Sequence, residues 1–92
     1  VFDPEAPLPG RFINAGFVGW DGHATIRQPD HRLTVVAQGC GTALLYSPGP
    51  DAPFFCLEPV SHPVDAHNLP GQPGLTILAP GQSLALSLRL AW

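Results

Sequence analysis

A short stretch of the sequence, "FFCLEPVSHPVDAHN" from Phe54 to Asn68, gathers side chains that could do chemistry: one glutamate, two histidines and an aspartate. Glu58 is one of only two glutamates in the chain, the other being Glu5, and it directly follows an apolar run. A carboxylate held at that place can act as a general base, can bind a metal ion together with imidazoles, or can simply reach solvent or pair with an arginine.

A metal site is the less favoured of these interpretations. His62 and His67 are five residues apart, with Glu58 four residues before His62. Pro59 and Pro63 exclude the helix that would gather these side chains on one face, and no HExxH-like pattern is present. The stretch is therefore interpreted as a strand that carries a functional glutamate, followed by a polar loop, and no metal or other cofactor is expected.

The elements that must position Glu58 are β-strands. In "QSLALSLRLAW", residues 82–92, leucines and a tryptophan alternate with small and polar residues, as in a half-buried strand. Clusters of Pro and Gly separate this segment from shorter apolar segments, and no window longer than about ten residues that is free of Pro and Gly has a helical period. The predicted class is all-β, an antiparallel β-sandwich, with a hairpin turn at Pro29-Asp30-His31. The shorter predicted strands are "HATIRQ", "RLTVVAQ", "TALLYS", "PFFCLE" and "LTILA".

Composition limits the size and the partners of the molecule. The chain has 92 residues, of which 45% are hydrophobic and only 12% are charged, against about a quarter charged in an average soluble domain. Such a chain has too little polar surface to cover its core, so we expect part of a larger domain or a tightly assembled subunit. With four basic residues, all arginine, and a net charge of −3, the chain lacks a basic patch for nucleic acid or an anionic membrane.

The cysteines and the first residues of the chain indicate the cellular compartment of the protein. Cys40 and Cys56 are too few for a secreted disulfide framework and do not form a CxxC pair. We expect two small buried thiols, with a disulfide as the alternative, and a cytoplasmic protein. No apolar run approaches the roughly 18 to 20 residues of a membrane span, and the first residues have no signal-peptide pattern.

Three motifs in order carry a resemblance to a known family. The segments "INAGFVGWDGHATI", "LLYSPGPDAPFFCLEPVSHPVDAHN" and "GLTILAPGQSLALSLRL" resemble the C-terminal third of aldose 1-epimerases, the galactose mutarotase-like proteins. The match runs from Ile13 to Leu90. The resemblance implies that residues 1–92 are the C-terminal strands of one large β-sandwich, the galactose mutarotase-like supersandwich, whose N-terminal part is missing from this chain. The lack of methionine fits that expectation.

The resemblance also implies a reaction. Aldose 1-epimerases interconvert the α and β anomers of a free aldose, such as an aldohexose, by acid-base opening and reclosure of the ring. The glutamate of the family's "C-x-E-P" strand is the base, and it corresponds to Glu58. The acid is a histidine from upstream sequence, so the 92-residue chain alone is expected to be inactive.

Further residues are implied as sugar contacts. Asn14 occupies the position of a family aspartate that hydrogen-bonds sugar hydroxyls; an amide can still donate and accept but carries no charge. Phe17 and Trp20 offer flat faces for a pyranose, although Trp20 before Asp21-Gly22 equally fits a core aromatic at a tight turn. His62, like Asp65 and His67, belongs to a loop near the glutamate, and its alternative is a solvated position.

A second function remains open beside the enzyme. Because a fold does not fix a function, the Asn14 substitution also fits a non-catalytic carbohydrate-binding or regulatory protein on the same sandwich. Under both interpretations the partner of this chain is the complementary N-terminal part of the protein, either joined or present as a separate chain.

Overall fold

The computed structural model describes residues 11–49 and 51–92, and its only helical element is one turn of 3-10 helix, Ala66–Asn68. The expected all-β class is confirmed. The six strands are β1 Ile13–Val18, β2 His23–Arg27, β3 Arg32–Gln38, β4 Thr42–Ser47, β5 Cys56–Val60 and β6 Ser87–Ala91. The described residues contain no helix with the length and apolar character needed to cross a bilayer.

The strands form two antiparallel sheets of three strands each. Sheet 1 has the order β1-β4-β5, and sheet 2 has the order β2-β3-β6. The chain passes from sheet 1 to sheet 2 between β1 and β2, returns between β3 and β4, and crosses to sheet 2 again between β5 and β6. Two three-stranded antiparallel sheets are consistent with a sandwich-like fold.

The predicted hairpin at Pro29-Asp30-His31 is confirmed. β2 and β3 pair antiparallel from His23 opposite Val36 to Arg27 opposite Arg32. The turn closes with a hydrogen bond from the Gln28 N–H to the His31 carbonyl, at 2.8 Å. The proline, which presets φ, and the aspartate supply the turn chemistry that the sequence indicated.

The passage from β1 to β2 depends on a glycine. Gly22 has a φ of +86°, and a Cβ at this position would lie 2.3 Å from the Ala37 carbonyl oxygen. The Ala37 N–H donates to the Gly22 carbonyl at 2.7 Å, so the connection lies directly against β3. Nearby, the Trp20 N–H donates to the Gly41 carbonyl at 3.1 Å. The bond between Trp20 and Gly41 joins the β1–β2 connection to the β3–β4 connection, and the bond between Ala37 and Gly22 holds the β1–β2 connection against β3.

One predicted strand is wrong and two have shifted boundaries. Residues 75–79, "LTILA", are irregular and pair with no strand of the described chain. At their end a turn forms: the Ala79 N–H donates to Gln82 Oε1 at 2.9 Å, and the Gln82 N–H donates to the Ala79 carbonyl at 3.0 Å. The last strand covers Ser87–Ala91 rather than residues 82–92. β5 covers Cys56–Val60 rather than residues 53–58, so it begins later than expected and continues through Pro59. β5 is an edge strand, where a proline without an N–H is tolerated.

The described residues have a thin core. The buried apolar residues are mostly small, Ala37, Ala43 and Ala66 among them, and no large side chain is fully buried. The radius of gyration is 15.0 Å, against about 12 Å for a compact domain of this length. Most of the large apolar side chains of the last segment remain exposed: Ile77, Leu78, Leu84, Leu86, Leu88, Leu90 and Trp92.

Candidate functional site

Glu58 lies in the middle of β5, and its side chain is exposed. It stands opposite Leu44 of the central strand β4, which in turn stands opposite Gly16 of β1. Directly opposite residues of neighbouring strands project to the same face of a sheet. Glu58 therefore projects from an edge strand of sheet 1. In the same row, the middle residue is the apolar Leu44 and the far residue is Gly16, which has no side chain.

Alternation along the strands defines the rest of this surface, which we call the Glu58 face. Asn14 belongs to it, because Asn14 lies two residues before Gly16 on β1. From the usual spacing and rise of strands, the Cα atoms of Asn14 and Glu58 are about 12 Å apart with one strand between them. The nine residues of the Glu58 face are Asn14, Gly16, Val18, Thr42, Leu44, Tyr46, Cys56, Glu58 and Val60.

A cavity of about 220 Å³ opens on the Glu58 face beside the row of Glu58. Three of its lining residues come from β1 and β4, and two come from the loop that follows β5: Gly16, Val18, Thr42, Pro63 and Val64. A Cβ at Gly16 would lie 3.1 Å from Leu44 Cδ2 and 3.8 Å from Val64 Cγ2. The absence of a side chain at position 16 thus keeps this space open where the loop folds back over the sheet.

His62 is positioned by that same loop. It is half-buried, and its Nδ1 lies 2.9 Å from the Ser61 hydroxyl. Gly74, with φ +75°, packs against the loop so closely that a Cβ would lie 2.6 Å from the Ser61 carbonyl oxygen and 2.9 Å from His62 Cα. His62 directly precedes Pro63 and Val64 of the cavity wall, whereas His67, five residues further on, is exposed.

The 3-10 turn holds the far end of the loop. Asp65 adopts a left-handed φ of 61°, and its Oδ1 accepts a hydrogen bond from Asn68 Nδ2 at 2.7 Å. Ala66 between them is fully buried, at 0% exposure. Asp65 therefore serves the conformation of the loop, and its carboxylate is occupied within the loop itself.

The two aromatic residues suggested by the sequence lie elsewhere. Phe17 stands opposite Ala43, which faces Pro59, so it projects from the side of sheet 1 opposite the Glu58 face. Trp20 lies in the turn beyond β1, where its indole N–H donates to the His23 carbonyl at 2.9 Å. The His23 N–H donates to Asp21 Oδ1 at 2.9 Å in the same turn. The structure brings Asn14 and Glu58 to one face and does not bring Phe17 to it.

Two side chains on the Glu58 face were not among the site residues expected from the sequence. Tyr46 stands opposite Asn14 on one side and opposite Cys56 on the other. The alternation in "TALLYS" would have placed Leu44 and Tyr46 on one face, but only the register shows that Glu58 and Asn14 flank them. Cys56 is half-buried and, like the buried Cys40, is a free thiol.

The carboxylate of Glu58 is chemically available. Its side chain makes no ion pair or hydrogen bond with another described residue, so pairing with an arginine is not seen in this part of the chain. Within the described residues no group of three or more His, Cys, Asp or Glu side chains could hold a metal ion. The site is thus an exposed carboxylate, an amide across the central strand and a small apolar cavity.

Comparisons with known proteins give one relative and no family. The chain is 38% identical over 102 residues to the uncharacterized protein YphB of Escherichia coli strain K12. The match covers 99% of this chain and 35% of the relative, so the chain spans about a third of the relative's length. No family model matches the sequence, and no solved structure matches it.

Proposed function

We propose that this chain carries the catalytic base of an aldose 1-epimerase and that the base is Glu58. The observation that carries the proposal is the placement of Glu58 and Asn14 on one open face of sheet 1, separated by one strand, with the glutamate carboxylate unpaired among the described residues. A base of this kind must reach a substrate proton without first breaking an ion pair. The resemblance in sequence supplies the substrate class, a free aldohexose.

The proposed reaction needs a base, an acid and no cofactor. Glu58 takes the proton of the anomeric hydroxyl while an acid protonates the ring oxygen, and the bond between the anomeric carbon and the ring oxygen breaks. The open aldehyde rotates about its bond to C2. Reclosure reverses both proton transfers, so the ring forms with the opposite anomer and both groups regain their starting states. Asn14 holds sugar hydroxyls during these steps, because its amide both donates and accepts hydrogen bonds.

The acid and the remaining strands are assigned to sequence outside the 92 residues. None of the histidines described lies on the Glu58 face: His23 begins β2, His31 is in the hairpin, and His62 and His67 follow β5. A relative about three times as long as this chain leaves room for the missing strands. We use "full-length protein" below for this chain together with those strands, joined or as a separate chain. We place it in the cytoplasm, since both thiols are unpaired.

A carbohydrate-binding protein without turnover is the second candidate. Two features of the Glu58 face favour it: Asn14 carries no charge to orient an acid, and Leu44, directly opposite Glu58, offers no polar group. Such a protein would hold a sugar between Asn14 and Glu58 and release it unchanged.

Polarimetry on the full-length protein separates the two candidates. Freshly dissolved α-glucose or α-galactose relaxes to its anomeric equilibrium, and the enzyme accelerates that relaxation in proportion to its concentration. Titration calorimetry with the same sugars measures binding independently. Acceleration supports the epimerase, binding without acceleration supports the binding protein, and the absence of both overturns the proposal of a sugar site.

A further inference from the structure

We propose that Tyr46 is the aromatic side chain that contacts the sugar, with its hydroxyl hydrogen-bonded to a hydroxyl of the pyranose between Asn14 and Glu58. This inference rests on the proposed sugar site and adds to it a residue that determines affinity.

Tyr46 is a neighbour of both proposed sugar contacts on the Glu58 face. It lies on the middle strand β4, directly opposite Asn14 of β1. Glu58 stands opposite Leu44, two residues earlier on β4, so Tyr46 and Glu58 are diagonal neighbours. Diagonal side chains of this kind are about 7 to 8 Å apart at their bases, within reach of one tyrosine or of one small ligand. A sugar that touches both Asn14 and Glu58 therefore crosses β4 beside Tyr46, between Tyr46 and Leu44.

The ring of Tyr46 is held in place from one side. Phe12 packs against it edge-on, with ring centroids 5.9 Å apart and an angle of 89° between the planes. Edge-to-face packing is a favoured aromatic geometry and restricts the rotation of both rings. Phe12 lies two residues before Asn14, so the aromatic pair and the amide form one contiguous patch.

The hydroxyl of Tyr46 has no partner among the described residues. It makes no hydrogen bond there, although a phenol can both donate and accept. Tyrosine in a half-buried position normally uses its apolar ring for packing and its polar tip for a hydrogen bond. A pyranose offers the matching surfaces, with C–H groups for the ring and hydroxyls for the tip. Phe17 and Trp20 cannot take this role as they stand, since Phe17 projects from the opposite side of sheet 1 and the Trp20 N–H is bonded within its turn.

The test is Tyr46→Phe in the full-length protein, which removes the hydroxyl and keeps the ring against Phe12. The probe is 1-deoxyglucose, a glucose analogue without the anomeric hydroxyl, whose binding by titration calorimetry does not depend on turnover. We expect Kd to rise about tenfold, as for the loss of one hydrogen bond. In mutarotation assays KM should rise by a similar factor while kcat changes less than about threefold, because the lost contact holds the sugar equally before and during reaction.

A matched control removes a hydroxyl from the other sheet. Thr25→Val on β2 should leave Kd and KM unchanged, and thermal unfolding should be the same for both variants and the parent. If Tyr46→Phe binds 1-deoxyglucose as tightly as the parent, Tyr46 does not contact the sugar, and the proposed function is unaffected. If the parent itself binds neither 1-deoxyglucose nor a free aldose, both proposals are overturned together.

Discussion

At the scale of single residues, Asn14 and Glu58 differ in what they can do. The amide of Asn14 can hydrogen-bond a sugar, but only the carboxylate of Glu58 can take a proton. Asn14→Asp places a carboxylate where the resembling family has one, and we expect it to preserve or raise mutarotation. Asn14→Leu removes the hydrogen-bonding groups and leaves the sugar hydroxyls unpaired, which costs about 1 to 3 kcal/mol of binding. Calorimetry with 1-deoxyglucose measures this cost directly. An Asn14→Leu protein with the parent's affinity would show that Asn14 does not touch the sugar.

The sequence indicates some residues of the site better than others. Glu58 stands out as a rare charge after an apolar run, and Asn14 stands out by its place in a resembling motif. Phe17 was suggested because an aromatic face suits a pyranose, but residue type does not tell which side of a sheet a side chain takes. The sequence does not indicate Tyr46 as a site residue, for the same reason. Its role depends on the pairing of β4 with both β1 and β5, and that register is a long-range property of the fold.

At the scale of elements, local chemistry predicted some strands and failed for others. The alternation around Leu88 and Leu90 and the turn at Pro29-Asp30-His31 both gave correct elements. β1 was not among the predicted strands, since Ala15 and Gly16 have low β propensity. Residues 75–79 have strong β propensity but no neighbouring strand within the described chain, and propensity yields to pairing. Whether an apolar segment forms a strand therefore depends on pairing partners that lie far away in sequence.

Gly22 provides a stability test at this scale. Gly22→Ala combines a φ of +86° with a Cβ 2.3 Å from the Ala37 carbonyl oxygen, so the connection between the sheets must shift. We expect the free energy of unfolding of the full-length protein to fall by about 2 kcal/mol or more in urea denaturation. The control is Gly41→Ala, where a Cβ meets nothing within 4 Å and φ lies outside the strained region. Equal stability of the two variants would contradict the role given to Gly22.

At the scale of the whole molecule, the described chain exposes the apolar side chains that a sandwich would bury. Leu88 and Leu90 of the edge strand β6 are 56% and 48% exposed, and Trp92 is 92% exposed. An uncovered apolar face beside an unpaired strand edge promotes association. We propose that the remaining strands of the full-length protein cover this surface; the relative, which is about three times as long as this chain, has room for such strands.

The charge of β6 can be changed on either face to test this assignment. Leu88→Lys with Leu90→Lys places two ammonium groups on the apolar face, and each leucine forfeits about 1.5 to 3 kcal/mol of burial. When the chain is co-expressed with the remaining strands, we expect this variant to lose co-purification with them. Ser87→Lys with Ala91→Lys alters the opposite face of the same strand and should still assemble. In size-exclusion chromatography, the 92-residue chain alone should self-associate. A well-folded monomer would contradict the assignment. Co-purification of the Leu88→Lys, Leu90→Lys variant with the remaining strands would contradict it as well.

The central claim, that Glu58 is the base of a mutarotase, is tested most directly by Glu58→Gln in the full-length protein. The amide keeps the shape of the carboxylate but cannot accept the anomeric proton, so polarimetry should show a loss of about a hundredfold to ten-thousandfold in kcat. Affinity for 1-deoxyglucose should stay within about threefold of the parent, since this analogue has no proton for the base to take. Asp51→Asn, which removes an exposed loop carboxylate, should leave the rate unchanged. A Glu58→Gln protein that retained more than about a tenth of the parent rate would contradict the claim.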